Sequence, residues 1–145
     1  MIIKARHFGI VVKNINKSKF FYSNILGLKI QKELIEEGVY FNNLINLKNR
    51  KAKVVKIDIP GSTYIELIQF INEKKNILTR TNSFKKLKQM HICFTVRNIE
   101  KYYKRLKKHK IKFISPPLKS DFDPVKTCFF LDPDKNYVQI VEDTK

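Results

Sequence analysis

Acidic side chains are scarce: 13 Asp and Glu stand against 30 Lys and Arg, leaving a formal net charge of +17. That balance disfavours cationic ligands, which the field of the chain would repel, and favours anionic small molecules. Nucleic acid is not expected as a partner. Lys, Ile and Asn are abundant together, as AT-rich codon usage produces. The densest basic stretch, K-Y-Y-K-R-L-K-K-H-K-I-K from Lys101, interleaves aromatics with charge. At helical spacing, however, Tyr102, Tyr103 and Leu106 share one side, a buried stripe beneath a solvated basic face. Cysteine occurs only at positions 93 and 128, too few for a disulfide framework, and the expected setting is the reducing cytoplasm. Cys128, in the run C-F-F-L, belongs in the core, and Cys93 reads as a buried, inert thiol, with a thiol on the face of His91 as the alternative. No apolar run approaches the length needed to span a bilayer. No basic-then-apolar leader precedes His7, so export is not expected. A P-loop, a dinucleotide fingerprint, a paired-cysteine zinc motif and a nucleophile elbow are all missing.

What is present is a repeat. His7 opens H-F-G-I-V-V-K-N-I-N-K, and His91 opens H-I-C-F-T-V-R-N-I-E-K. A second echo follows in each half: P-G-S-T-Y-I-E-L-I from Pro60 and P-D-K-N-Y-V-Q-I-V from Pro133. Self-similarity on this scale dictates the architecture before any local reading does. The expected fold is α+β: two tandem βαβββ modules forming a curved mixed sheet around a metal-binding cavity. One domain spans 1–145, with module 1 at about 1–71, a polar connector at 72–89 and module 2 at about 90–145.

Strict alternation places His7, Gly9 and Val11 on one face of a strand and Phe8, Ile10 and Val12 on the other. His91, Cys93 and Thr95 repeat the first face, and Ile92, Phe94 and Val96 the second. The apolar triplets should pack on the helix that follows, leaving each histidine on an open face. Asn14 or Asn16 caps the first helix, Phe20, Phe21 and Ile25 form its core stripe, and Gly27 ends it. Asn98 caps a second helix from Ile99 to about Lys108, which ends without glycine. Further strands are predicted near 28–33, 39–45, 53–59 and 63–70, and near 111–114, 125–131 and 136–142.

Alternation also places Glu66 with Tyr64 and Ile68, and Gln139 with Tyr137 and Val141. A lone histidine at a strand start is usually structural. Two at equivalent repeat positions, each matched to a Glu or Gln on an equivalent strand, suggest a site. If the open faces curve toward one cavity, His7, Glu66, His91 and Gln139 converge. Two imidazoles, a carboxylate and an amide oxygen suit one borderline divalent ion, nickel, cobalt or zinc before iron. Gly9 and Cys93 are small enough to leave space above it. His109, in the Lys-rich helix end, has no such context and is assigned no role.

These residues carry a resemblance over essentially the whole chain. The segments F-Y-S-N-I-L-G-L-K, M-H-I-C-F-T-V-R-N-I and L-D-P-D-K-N-Y-V-Q-I are similar to conserved elements of the vicinal oxygen chelate superfamily. That group includes glyoxalase I, methylmalonyl-CoA epimerase, extradiol dioxygenases and the fosfomycin and bleomycin resistance proteins. The resemblance implies that His7, Glu66 and His91 match three ligands of bacterial glyoxalase I. It implies a homodimer and a small-molecule substrate. It also implies a metal-dependent isomerase or lyase working through an enediolate, with Glu66 as the catalytic base. An acyl-CoA epimerase, with Lys85, Lys86 and Lys88 near the CoA phosphates, and a non-catalytic binding or resistance protein are the alternatives. Two departures stand out. Gln139 replaces the usual closing glutamate and cannot take a proton. Lys135 stands where the turn often has glycine, at a cost of about 1 kcal/mol if it must be left-handed.

Overall fold

Residues that alternate in sequence form strands, and two of those strands carry the histidines. The computed structural model describes residues 1, 3–71 and 90–144, and the chain divides into two compact units, Met1–Arg80 and Thr81–Lys145. The predicted connector at 72–89, with Lys85, Lys86 and Lys88, lies outside the described residues. The first unit runs β1 (His7–Val11), α1 (Ile15–Phe20), a π-helical turn (Phe21–Ile25), β2 (Ile30–Glu36), α2 (Gly38–Leu44), β3 (Ala52–Asp58) and β4 (Tyr64–Phe70). The second runs β5 (His91–Thr95), α3 (Ile99–Lys108), β6 (Leu118–Lys119), β7 (Val125–Leu131) and β8 (Tyr137–Asp143). The strand orders are β1-β4-β3-β2 and β5-β8-β7-β6, so the two sheets share one topology. In each, the histidine strand is parallel to the last strand and the remaining pairs are antiparallel. The α+β architecture of two similar mixed-sheet modules is therefore observed. No helix among the described residues is long and apolar enough to cross a membrane.

Each sheet has a helix-covered face. In the first unit Ile65 and Leu67 of β4, Val55 and Ile57 of β3 and Val12 after β1 are essentially inaccessible, together with Ile15, Phe21 and Tyr22 of the helix. In the second, Val138 and Ile140 of β8, Cys128 and Phe130 of β7 and Ile99 and Leu106 of α3 form the counterpart. The apolar triplet of β1 is buried progressively, from Phe8 at 42% exposed to Val12 at 1%. Both predicted caps hold: the Asn14 side chain accepts from the Lys17 N–H and Asn98 from that of Lys101, each at 3.0 Å. Gly27 is left-handed, with φ 83°. Lys110, at φ 58°, takes that place after α3.

Four expectations need correction. The segment 39–45 is helical, not a strand. Gly38, at φ 91°, turns the chain out of β2, and the Asn42 side chain ties the new helix to Gly38 O and Arg50 N. Only Phe41 of α2 is buried, against Phe70 of β4, with ring centroids 6.4 Å apart. Phe20 is 56% exposed while Tyr22 is fully buried. The buried face is set from the start of α1 by Ile15 and Ser18 and continues through Tyr22 and Ile25, which leaves Phe20 on the outer side; a π-turn follows over Phe21–Ile25. The predicted strand at 111–114 is a single bridge, Phe113 to Phe130, and regular pairing resumes at β6. Cys93 is exposed, because it shares the open face with His91, whereas Cys128 is buried as expected.

Candidate functional site

Register sets the geometry. Along the parallel pair β1–β4, His7 lies beside Tyr64 and Gly9 beside Glu66. Along β5–β8, His91 lies beside Tyr137 and Cys93 beside Gln139. The repeat seen in sequence is thus a repeat in space: each histidine occupies one place relative to its Glu or Gln. In the first unit the two side chains meet, His7 Nε2 lying 3.3 Å from Glu66 Oε2, and the imidazole stacks on Tyr64 at 5.2 Å between centroids. Glu66 is largely shielded, with 14% of its side chain exposed.

A residue not anticipated from the sequence completes this cluster. Lys56, paired with Glu66 across β3–β4, places Nζ 3.0 Å from Glu66 Oε1 and 5.0 Å from the Tyr64 ring centroid. Its pKa is raised, first by the hydrogen bond to Glu66, with partial burial opposing. The carboxylate is therefore held between an ammonium on one oxygen and an imidazole on the other. Lys56 had one sequence signal, a charge amid the otherwise apolar V-V-K-I of β3.

The second unit is neutral at the same places. Phe129 takes the position across from Gln139 and meets His91 edge-on, with centroids 5.3 Å apart. Thr127 donates its hydroxyl proton to Ile140 O at 2.9 Å, so its oxygen accepts from Gln139 Nε2 at 2.8 Å. That engages the amide nitrogen and leaves the amide oxygen as the atom a ligand would meet.

Whether these residues suit a divalent ion can be judged from the first pair. Two ligand atoms each about 2.1 Å from a metal, at angles between square and tetrahedral, lie about 3.0–3.4 Å apart. The His7–Glu66 separation of 3.3 Å falls in that range. That one spacing suits two ligands of a divalent ion, as it also suits a direct ion pair. Among the described residues, no group of three or more His, Cys, Asp or Glu is placed to hold a metal ion.

Two further side chains, also unanticipated, support the site from behind. Three residues past Glu66, Gln69 Oε1 accepts from the Ile15 N–H at 2.8 Å. Three past Gln139, the Glu142 carboxylate accepts from the N–H groups of Asn98 and Ile99, the latter at 3.1 Å. Each last strand thus presents a candidate ligand on one face and caps the helix on the other.

The family model described as Glyoxalase/Bleomycin resistance protein/Dioxygenase superfamily matches residues 4–140. The chain is 30% identical over 156 aligned positions to the lactoylglutathione lyase of Schizosaccharomyces pombe, covering 98% of this chain and 48% of that protein. It spans about half the length of the curated relative it matches. A glyoxalase family protein from Bacillus cereus superposes with TM-score 0.84 at 18% identity, over 100% of this chain and 97% of that one. Glyoxalase I of Leishmania major, described as trypanothione-dependent, gives TM-score 0.66 at 19% identity, over 94% and 84%. At these identities the structural likeness shows the fold alone.

Proposed function

The chain belongs to the glyoxalase/bleomycin resistance protein/dioxygenase superfamily, and from that premise we propose that it is a glyoxalase-like lyase acting on a small, anionic thiol adduct of an α-keto aldehyde. The observation that carries the reading is the repeated register of His7 with Glu66 and His91 with Gln139, with His7 and Glu66 in contact. The lactoylglutathione lyase relative supplies the reaction class. His7, Glu66, His91 and Gln139 would together hold a divalent ion of nickel, cobalt or zinc, whose chemistry there is to polarise neighbouring substrate oxygens. The homodimer and cytoplasmic setting expected from the sequence belong to this proposal.

Glu66 does the proton work. It is the only anionic residue of the four, and its carboxylate would take the proton from one substrate carbon and return it to the adjacent carbon, an isomerisation with no net gain or loss of atoms. His7 stacks on Tyr64 and fixes the direction from which Glu66 Oε2 is approached. Gln139, an amide, can bind through oxygen but cannot share the proton transfer.

The test is a pair of substitutions read by metal content after chelator-free purification and by isomerisation of a methylglyoxal–thiol adduct. Glu66→Gln keeps size and hydrogen-bonding shape, and should lower turnover about 10²–10⁴-fold while weakening metal binding. Gln139→Glu should tighten metal binding. Full activity and full metal occupancy in Glu66→Gln would remove the site from consideration. A second reading, a non-catalytic small-molecule binding protein, is favoured by the amide at Gln139. It takes over if the wild type holds no metal and turns nothing over while small anions still raise its melting temperature.

A further inference from the structure

Lys56 is the one member of the Glu66 cluster for which the proposed reaction has no task. It is no bystander in space. Register sets it directly across from Glu66, its ammonium contacts Oε1 at 3.0 Å, and its side chain is only 26% exposed. The second unit makes the contrast: the same register position is Phe129, across from the uncharged Gln139. A cation faces the carboxylate and an apolar ring faces the amide.

We propose that Lys56 is a built-in counter-cation that competes with a divalent ion for Glu66 and holds the metal affinity of the His7–Glu66 pair low, an inference that rests on the metal-site reading above. An ion shared by His7 Nε2 and Glu66 Oε2 would sit a few ångströms from an ammonium on Oε1 of the same carboxylate. Like charges at that range, around a carboxylate largely shielded from water, repel strongly. Metal binding must therefore displace Lys56 or tolerate it. The Tyr64 ring already lies 5.0 Å from Nζ, so an ammonium that left Glu66 and kept this contact would not be unpaired. The pair Lys56–Glu66 then acts as the resting form of the half-site, and a metal must outbid it.

Calorimetric titration with Co²⁺, with visible absorption to report imidazole and carboxylate ligation, tests this on wild type, Lys56→Met, Lys56→Gln, Glu66→Gln and the double variant Lys56→Met/Glu66→Gln. Lys56→Met keeps the aliphatic stem, and Lys56→Gln guards against a packing defect in the first. Both should bind Co²⁺ about tenfold tighter or more, which is about 1.4 kcal/mol. In the Glu66→Gln background the same Lys56→Met change should move affinity less than it does in the wild type, since competition for the carboxylate is gone and only ammonium–ion repulsion remains. Unchanged or weaker Co²⁺ binding in both Lys56 variants, with Glu66→Gln still weakening it, overturns the competition and leaves the metal site standing. If none of the five proteins binds Co²⁺, the metal site itself falls and the competition with it.

Discussion

In the first unit the last strand turns a carboxylate, Glu66, to the open face and an amide, Gln69, to the helix; in the second it turns the amide, Gln139, to the open face and the carboxylate, Glu142, to the helix. The two groups have traded places on one scaffold. The difference separates two jobs that a carboxylate can do. At a helix start it satisfies unpaired N–H groups and complements the helix dipole, a contribution to stability. On an open face beside a histidine it supplies charge and a proton acceptor, which under the proposed function is a contribution to chemistry. Over these two positions each last strand keeps one carboxylate and assigns it differently. Lys56 follows the assignment: it stands across from Glu66, while Phe129 stands across from Gln139.

The comparison predicts where the units should behave alike and where they should part. The largest effects should be shared. Leu67 and Ile140 hold equivalent places, one residue past the open-face group, and both are essentially inaccessible. Leu67→Ala and Ile140→Ala should each destabilise by about 3 kcal/mol in denaturant titration. A difference of several kcal/mol between them would mean that the two cores are not equivalent. Next come the caps, where the units should differ. Glu142→Ala removes a charged acceptor from two N–H groups and should cost about 1.5–2 kcal/mol, the more so at low salt. Gln69→Ala removes a neutral acceptor from one and should cost about 1 kcal/mol, independent of salt. Equal, salt-insensitive losses would erase the distinction. The smallest effect concerns the turns. The first unit turns through Pro60 and a left-handed Gly61 at φ 72°, and the second puts Lys135 in the left-handed region at φ 64°. Lys135→Gly should raise stability by about 0.5–1 kcal/mol, and a loss of stability would show that the lysine side chain contributes contacts there.

How much of this was legible in advance follows from which interactions are local. Strand alternation, both asparagine caps and the Gly27 terminator depend on a few neighbouring residues and could be read directly. The left-handed strain at Lys135 was legible for the same reason. The equivalence of His7/Glu66 and His91/Gln139 was visible because duplication prints a long-range relation twice. Lys56 was not, since its meaning arises only when β3 is set against β4, and its counterpart Phe129 breaks the repeat. Segment 39–45 misled because Val39, Tyr40 and Phe41 have strand propensity, while the structure lets Gly38 and the Asn42 side chain decide. Gln69 and Glu142 escaped because a cap reaching from a distant strand leaves no local signature.

The odd spacing between Glu66 and Gln69, and between Gln139 and Glu142, also gives the chain an error check on its own threading. Because three residues separate them, the two groups of each pair necessarily face opposite ways along a strand. A slip of one residue would turn both at once, carrying Glu66 into the helix-covered layer and pulling Gln69 away from the Ile15 N–H. A β4 slipped by one residue cannot keep one group on its proper face and lose the other. A β4 whose Gln69 meets the Ile15 N–H has thereby turned Glu66 to the open face.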